Sequence, residues 1–226
     1  PVGRDSDTNY STARDVATML KYALKIAEFK KIFTTKEYEA TNGLILQSTL
    51  MPYENILNVD LIDGSKSGFT RTAGRCLASI TTLNDVPYLL VVIRSSNEFI
   101  YNAIKDSITI YEYYSNNYSY QTILNEDLVI DSIPIKYSKE KEYEIKTDEE
   151  VSMYLKNDTV DNLTYEYDGI EEIKYNTEEG SKLGTIKVYD NDTLLYESDV
   201  YLNTNIEYYN FYLIGIIVVI FLFIIV

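Results

Sequence analysis

The chain has 226 residues, with 35 acidic and 20 basic side chains, no His, no Trp and one Cys. Without His there is no Ser-His-Asp or Cys-His catalysis, so a nucleophile here needs a Lys, a carboxylate or an N-terminal amine as its base. Cys76 alone makes no internal disulfide and no usual zinc site, and a net charge of −15 argues against a nucleic-acid partner.

The charge is uneven. Residues 1–118 hold 13 acids and 12 bases, whereas residues 119–226 hold 22 acids and 8 bases. This predicts a near-neutral globular domain over 1–118 and an acidic, Tyr- and Thr-rich domain over 119–207, with the break near Asn117–Tyr120.

Residues 12–27 read as an amphipathic helix. Ala13, Val16, Ala17, Leu20, Ala23, Leu24 and Ala27 recur at helical spacing, and Thr12 with Asp15 forms a loose capping box. Phe29–Ile32 extends the helical pattern, and 36–62 read as short strands and loops. Cys76–Thr82 and Pro87–Arg94 read as two antiparallel strands turned at Asn84–Asp85. The continuously apolar Tyr88–Ile93 predicts burial on both faces. Residues 97–114 read as a helix with Ile100, Ala103, Ile104, Ile108 and Tyr111 on one side. Strands followed by a helix predict an α+β fold, an antiparallel sheet covered by helices.

From Gln121 onward the pattern is all-β. Leu128–Ile135, Tyr143–Lys146, Val151–Leu155, Leu163–Tyr167, Gly184–Tyr189 and Leu194–Tyr201 read as strands separated by Asp, Asn and Gly turns. A small sandwich is expected. The chain closes on Phe211–Val226, 16 residues without a charge. As a helix this spans about 24 Å, slightly short of a hydrocarbon core of about 30 Å. With Tyr208, Tyr209 and Tyr212 as an aromatic belt, 208–226 is expected to be a membrane anchor. Residue 1 is Pro and no signal-peptide pattern follows it, so the start is expected to be processed or partial. No Lys/Arg stop follows the apolar run, so truncation is expected there also.

Asp63-Gly64-Ser65-Lys66-Ser67-Gly68-Phe69-Thr70 carries the chemistry. A Lys supplies a fixed charge for a carboxylate, the next hydroxyl donates to the same group, and Gly lets a ligand lie against the backbone. K-S-G alone is a short pattern that also occurs in exposed turns. Cys76 beside it reads as a quiet buried thiol. The acidic runs Asp148–Glu150 and Glu171–Glu172 read as solvated faces rather than calcium sites.

Taken together, these stretches resemble the D-alanyl-D-alanine carboxypeptidases of the low-molecular-weight penicillin-binding protein family. Asn9–Asp15 is similar to that family's His-x-Ser-Thr-Ala-x-Asp helix start, with Asn9 in place of His. Asn58–Thr70 resembles the segment leading into Lys-Thr-Gly-x-Thr, and Ala73–Ser79 the strand after it. Glu149–Leu155 and Gly180–Tyr189 resemble strands of the family's C-terminal β domain. The resemblance runs in order over nearly the whole chain. It implies the C-terminal part of a penicillin-binding-protein/β-lactamase-like domain, a β-sandwich domain and a hydrophobic helix.

The family's S-x-x-K and S-x-N motifs are absent before Lys66. Ser138-Lys139-Glu140-Lys141, Ser95-Ser96-Asn97 and Ser115-Asn116-Asn117 match in letters but follow Lys66, and read as turns or helix starts. The resemblance implies a serine enzyme that trims the terminal D-Ala from peptidoglycan stem peptides through an acyl-enzyme. It needs no cofactor and is trapped by β-lactams. Lys66, Ser67 and Gly68 would bind substrate and the Phe69 N–H would form half of an oxyanion hole. Without the nucleophile the chain is expected to be inactive alone. The implied location is the bacterial cell surface, anchored through Phe211–Val226. The alternatives are a non-catalytic, membrane-anchored surface or wall-binding protein, and a lactam hydrolase.

Overall fold

A computed structural model describes residues 5, 6 and 8–217. The chain divides into two compact units, with the boundary between Tyr118 and Ser119.

The first unit opens on helices α1 (Ala13–Ala23) and α2 (Ala27–Thr34). Thr12 caps α1: its Oγ1 accepts from the Asp15 N–H at 3.1 Å and donates to the Asp15 carboxylate at 2.9 Å, so one orphan helix donor is satisfied. Leu20 is buried and Ala13, Val16, Ala17, Ala23 and Leu24 are half-buried, the face that the apolar spacing predicts. Ala27 is exposed, because the chain bends at Ile26 and starts a second helix there. A hairpin follows, β1 (Glu37–Glu39) with β2 (Ile45–Gln47), and then two short 3-10 turns.

The centre of this unit is an antiparallel sheet of β3 (Gly64–Thr70), β4 (Gly74–Leu83) and β5 (Val86–Ser95), in that order. Asn84 and Asp85, both at positive φ (49° and 64°), make the two-residue turn between β4 and β5. Helix α3 (Asn102–Asn117) lies on one face. There Ala103, Ile104, Ile108 and Tyr111 meet Leu77, Leu83, Leu50, Val59 and Ile62 in one core. Each large aliphatic side chain buried in this way contributes about 1.5–3 kcal/mol. Ser79 of β4 hydrogen-bonds the Tyr111 hydroxyl at 2.9 Å inside this core, and burial pushes that hydroxyl's pKa up to about 12.

Two expectations need correction. Ile100 is 65% exposed, because α3 begins at Asn102 and leaves Ile100 in the preceding turn. Tyr88–Ile93 is not buried on both faces: Tyr88 to Val92 are half-buried and Ile93 is 47% exposed. Among the described residues β5 pairs with β4 only, and the face away from α3 borders an open cavity.

Among the described residues the second unit holds seven strands, of which β6 (Tyr118–Leu124) begins at the boundary residue. The others are β7 (Val129–Pro134), β8 (Glu142–Lys146), β9 (Val151–Lys156), β10 (Leu163–Gly169), β11 (Lys182–Asp190) and β12 (Thr193–Tyr201). They form a β10-β11-β12 sheet and the pairs β6-β9 and β7-β8. The β7-β8 and β10-β11-β12 sheets share a core of Ile133, Ile145, Ile173, Leu183, Ile186, Val200 and Leu202. A second core joins Ile123 and Leu124 of β6 to Val188 of β11. Gly184 faces Gly169 across β10-β11, and a Cβ at Gly184 would sit 2.6 Å from the Asp168 carbonyl. The second glycine of the Gly180/Gly184 pattern is therefore a close-approach position.

Asn210 starts a helix over 211–217: its Oδ1 accepts from the Leu213 N–H at 3.0 Å. No described helix is long and apolar enough to cross a membrane. The expected anchor, Phe211–Val226, runs on into 218–226, outside the described residues.

Candidate functional site

The K-S-G triplet lies within β3, at the edge of the sheet, not in a turn. Its placement starts with Gly64, where a Cβ would meet the Phe33 carbonyl oxygen at 2.7 Å. Only glycine lets the C-terminal end of α2 rest on the first residue of the strand. The strand then runs Gly64↔Ile80 to Thr70↔Gly74 against β4 without a register break.

Side chains alternate across the sheet. Lys66, Ala78 and Val91 form one cross-strand row, and Ser67, Leu77 and Val92 form the next, on the opposite face. Lys66 is exposed and its ammonium donates to the Ser67 carbonyl oxygen. Ser67 donates to Thr49 Oγ1 at 2.9 Å. Gly68 has open space where a Cβ would point, with nothing within 4 Å. No packing contact in this unit requires a glycine there. Phe69 is exposed, and the Arg75 guanidinium lies 4.7 Å from its ring centroid. Arg75 also donates from Nη1 to the Ile100 carbonyl at 3.0 Å, a second contact that holds the guanidinium near the ring.

Lys66, Ser67 and Gly68 line a cavity of about 1070 Å³. Its other walls are Asn9–Thr12 before α1, the α1 residues Val16 and Leu20, Phe29 and Phe33 of α2, and Cys76, Val91 and Arg94 of the sheet. Asn9–Thr12, from one stretch singled out in the sequence, and Lys66–Gly68, from another, thus meet at one cavity although they lie far apart in the chain. A second cavity of about 810 Å³ touches Lys66 from the other side, lined by Ile32, Phe33, Tyr38, Leu46, Thr49 and Ser65. Lys66, Phe29 and Phe33 border both cavities.

A bulge shapes the far end. Arg75 pairs with Ser95 and Leu77 with Val92, so Cys76 alone faces Ile93 and Arg94. Arg94 takes a left-handed φ of 56° there, and Gly74 leaves room for it, since a Cβ at Gly74 would lie 3.2 Å from Arg94 Cα. Bulges of this kind commonly re-aim a side chain beside a site. Cys76 is half-buried in the cavity wall, its thiol 3.7 Å from the Ala73 carbonyl.

The letter matches after Lys66 find other partners. The Ser138 hydroxyl donates to the Glu140 carbonyl, and Lys141 Nζ reaches the Ser138 carbonyl oxygen at 3.4 Å rather than the hydroxyl. Ser95 donates to the Asp106 carboxylate. Two residues at the site gave no signal in the sequence. Thr49 joins it only because the loop before the first 3-10 turn passes the β3 edge, and Arg94 only because the bulge turns it. Among the described residues no group of His, Cys, Asp or Glu is placed to hold a metal ion.

Residues 1–97 match the family model of D-alanyl-D-alanine carboxypeptidases, and residues 118–208 match that of the penicillin-binding protein 5 C-terminal domain. D-alanyl-D-alanine carboxypeptidase DacF of Bacillus subtilis is 23% identical over 202 residues, which cover 88% of this chain and 51% of the relative. The chain therefore spans about half the length of the curated relative it matches. Among solved structures, D-alanyl-D-alanine carboxypeptidase DacD of Francisella tularensis superimposes with a TM-score of 0.55 at 14% identity, over 92% of this chain and 63% of that one. Penicillin-binding protein 6B of Escherichia coli gives 0.53 at 18% identity, over 87% and 51%. At these identities the structural likeness speaks for the fold. The two family matches together, in chain order and with the K-S-G strand inside the D-alanyl-D-alanine carboxypeptidase match, identify the chain as part of a low-molecular-weight penicillin-binding protein.

Proposed function

We propose that this chain is the substrate-holding half of a serine D-alanyl-D-alanine carboxypeptidase at the bacterial cell surface. In this reading, residues 1–118 complete a transpeptidase-like domain and 119–207 form a β-sandwich domain. Residues 208–226 anchor the protein in the membrane. The observation that carries the proposal is the K-S-G edge strand with an unfilled Gly68 position on the wall of a large cavity.

The chemistry follows from what each group can do. A stem peptide ending in D-Ala-D-Ala lies along the free edge of β3, where Gly68 lets its backbone approach. The Lys66 ammonium exchanges the Ser67 carbonyl for the terminal carboxylate, a charge-assisted hydrogen bond. The Ser67 hydroxyl rotates from Thr49 to the same carboxylate, and Thr49 then donates to Ser67. The Phe69 N–H points at the scissile carbonyl oxygen and stabilises the oxyanion. The 226 residues contain no S-x-x-K before Lys66. In this reading the attacking serine and its lysine base come from outside these residues, and the chain alone is inactive. β-Lactams enter as substrate mimics and stop at the acyl stage.

The test is acylation of the full-length protein by a fluorescent penicillin. Lys66→Ala slows labelling severely while a thermal melt is unchanged; equal labelling of the two proteins overturns the assignment. The absent S-x-x-K favours one second reading, a non-catalytic membrane-anchored surface protein. Coding sequence upstream of residue 1 decides between them: an in-frame S-x-x-K and S-x-N support the enzyme, and a stop codon supports the remnant.

A further inference from the structure

We propose that one end of the β unit, built around Tyr137, Tyr175, Tyr208 and Phe211, is a preformed docking surface for an anionic lipid bilayer. It would hold the unit against the membrane at a set angle. The proposal rests on the anchor reading of the C-terminus and adds to it a second, folded contact.

Four rings meet at this end. Tyr137 and Tyr175 each stand edge-on to Phe211, at centroid distances of 5.3 and 5.5 Å, and Tyr175 stands 5.1 Å from Tyr208. They come from three separate segments, which backbone bonds zip together. Ile135 bridges Ile173, Ser138 bridges Tyr208, and the Tyr209 N–H donates to the Tyr137 carbonyl at 2.7 Å. Tyr137 holds a left-handed φ of 60°, a conformation that bulky residues seldom adopt. Here it turns the ring toward Phe211 while leaving it exposed. Burial alone does not account for the cluster, since Tyr137, Tyr175 and Phe211 all remain exposed. Tyrosine and phenylalanine rings grouped where an apolar helix begins are the composition of a bilayer interface.

The helix over 211–217 starts from this cluster, capped by Asn210, and presents Tyr212, Leu213, Ile214, Ile216 and Ile217 to the outside, Tyr212 at 82% exposure. Charge separates this end from the rest of the unit. The segments 134–141, 172–177 and 205–212 carry four lysines (136, 139, 141 and 174) against three glutamates. The remainder of residues 119–226 carries 19 acids against the other four lysines. Averaged over the unit, charge opposes approach to an anionic surface, and these three segments oppose it less, although Glu142, Glu171, Glu178 and Glu179 flank them. Lys136 and Lys139 are tied to Glu172 and Glu207. Lys141 lies over the Tyr209 ring at 5.4 Å, its ammonium at ring level. Aromatic rings and ammonium groups at one level match a headgroup layer, in which rings sit among glycerol esters and lysines meet phosphates.

The chain has no Trp, so single Trp reporters are clean. The protein is reconstituted into vesicles of phosphatidylcholine with or without phosphatidylglycerol, carrying a nitroxide quencher at the headgroup. Tyr137→Trp and Tyr175→Trp are compared with Tyr120→Trp on β6, which lies by the other core. Strong quenching at 137 and 175, weak quenching at 120 and dependence on phosphatidylglycerol support the proposal. Lys141→Ala with Lys174→Ala then lowers the ratio of docked to undocked molecules about 30-fold, because each lysine near an anionic surface is worth roughly a fivefold change. Vesicle-bound protein with no quenching at 137 and 175 overturns the docking surface and leaves the anchor standing. Equal quenching with and without phosphatidylglycerol overturns the role of the lysines. No vesicle association at all overturns the anchor and the surface together. Loss of peptidoglycan binding in Tyr175→Ala, with quenching at 137 unchanged, assigns the rings to glycan instead and also overturns it.

Discussion

The two faces of the β3-β4-β5 sheet are built from the same three strands and serve opposite ends. On one, Leu77, Ser79 and Leu83 are sealed under α3 with Ile104, Ile108 and Tyr111. On the other, Lys66, Gly68, Cys76 and Val91 open onto a cavity of about 1070 Å³. The sealed face holds the main core, and the open face holds the residues proposed to bind substrate. The two are separable because alternation puts neighbouring residues of one strand on different sides. Leu77→Ala and Lys66→Ala, on opposite faces, are therefore expected to fail in different assays.

The largest effect belongs to the sealed face. Leu77→Ala removes a side chain 1% exposed in the main core and is expected to lower the unit's stability by about 2–5 kcal/mol, read from denaturant unfolding. A change below about 0.5 kcal/mol would mean this face is not the structural one. Next is Lys66→Ala on the open face. It should cost about 100-fold in penicillin acylation of the full-length protein, the worth of a hydrogen bond to a charged group, with the unfolding midpoint unmoved. A fall in both would make Lys66 structural and blur the contrast.

Gly68→Ala sharpens it. The new methyl meets nothing within 4 Å of the protein, so folding is expected to be neutral or slightly stabilised. Acylation nonetheless falls about tenfold, because the methyl occupies the path of a ligand on the strand. An unchanged rate would show that nothing approaches β3 there. The smallest change is Tyr111→Phe, which leaves Ser79 without its partner and costs about 1 kcal/mol. Burial raises the Tyr111 hydroxyl to about 12 from an ordinary value of 10.0. A group raised in this way gives stability that is full below pH 10 and is lost as pH climbs toward 12. Tyr111→Phe should flatten the loss of stability between those pH values, measured by chemical denaturation.

Much of this was legible in the residues. Periodicity located α1, the β4-β5 hairpin, α3 and six of the seven strands after the boundary, because each element declares its own buried face locally. Tyr118–Leu124 was missed as a strand, since β6 carries its two buried residues, Ile123 and Leu124, side by side at its end rather than alternating. Ile100 was misplaced because an apolar residue one turn before a helix keeps the helical spacing without joining the helix.

Residue order alone set the chemistry available: no imidazole, one thiol, a K-S-G triplet without a preceding S-x-x-K, and an acidic second half. These are properties of composition and order, which no folding changes. Tertiary structure alone decided that K-S-G lies on an edge strand, that Asn9–Thr12 shares its cavity, and that Thr49 holds Ser67. It also gathered Tyr137, Tyr175, Tyr208 and Phe211 at one end of the β unit. Such meetings join residues far apart in the chain. They depend on sheet register, bulges and loop paths, which are set by the packing of the whole unit rather than by any local pattern.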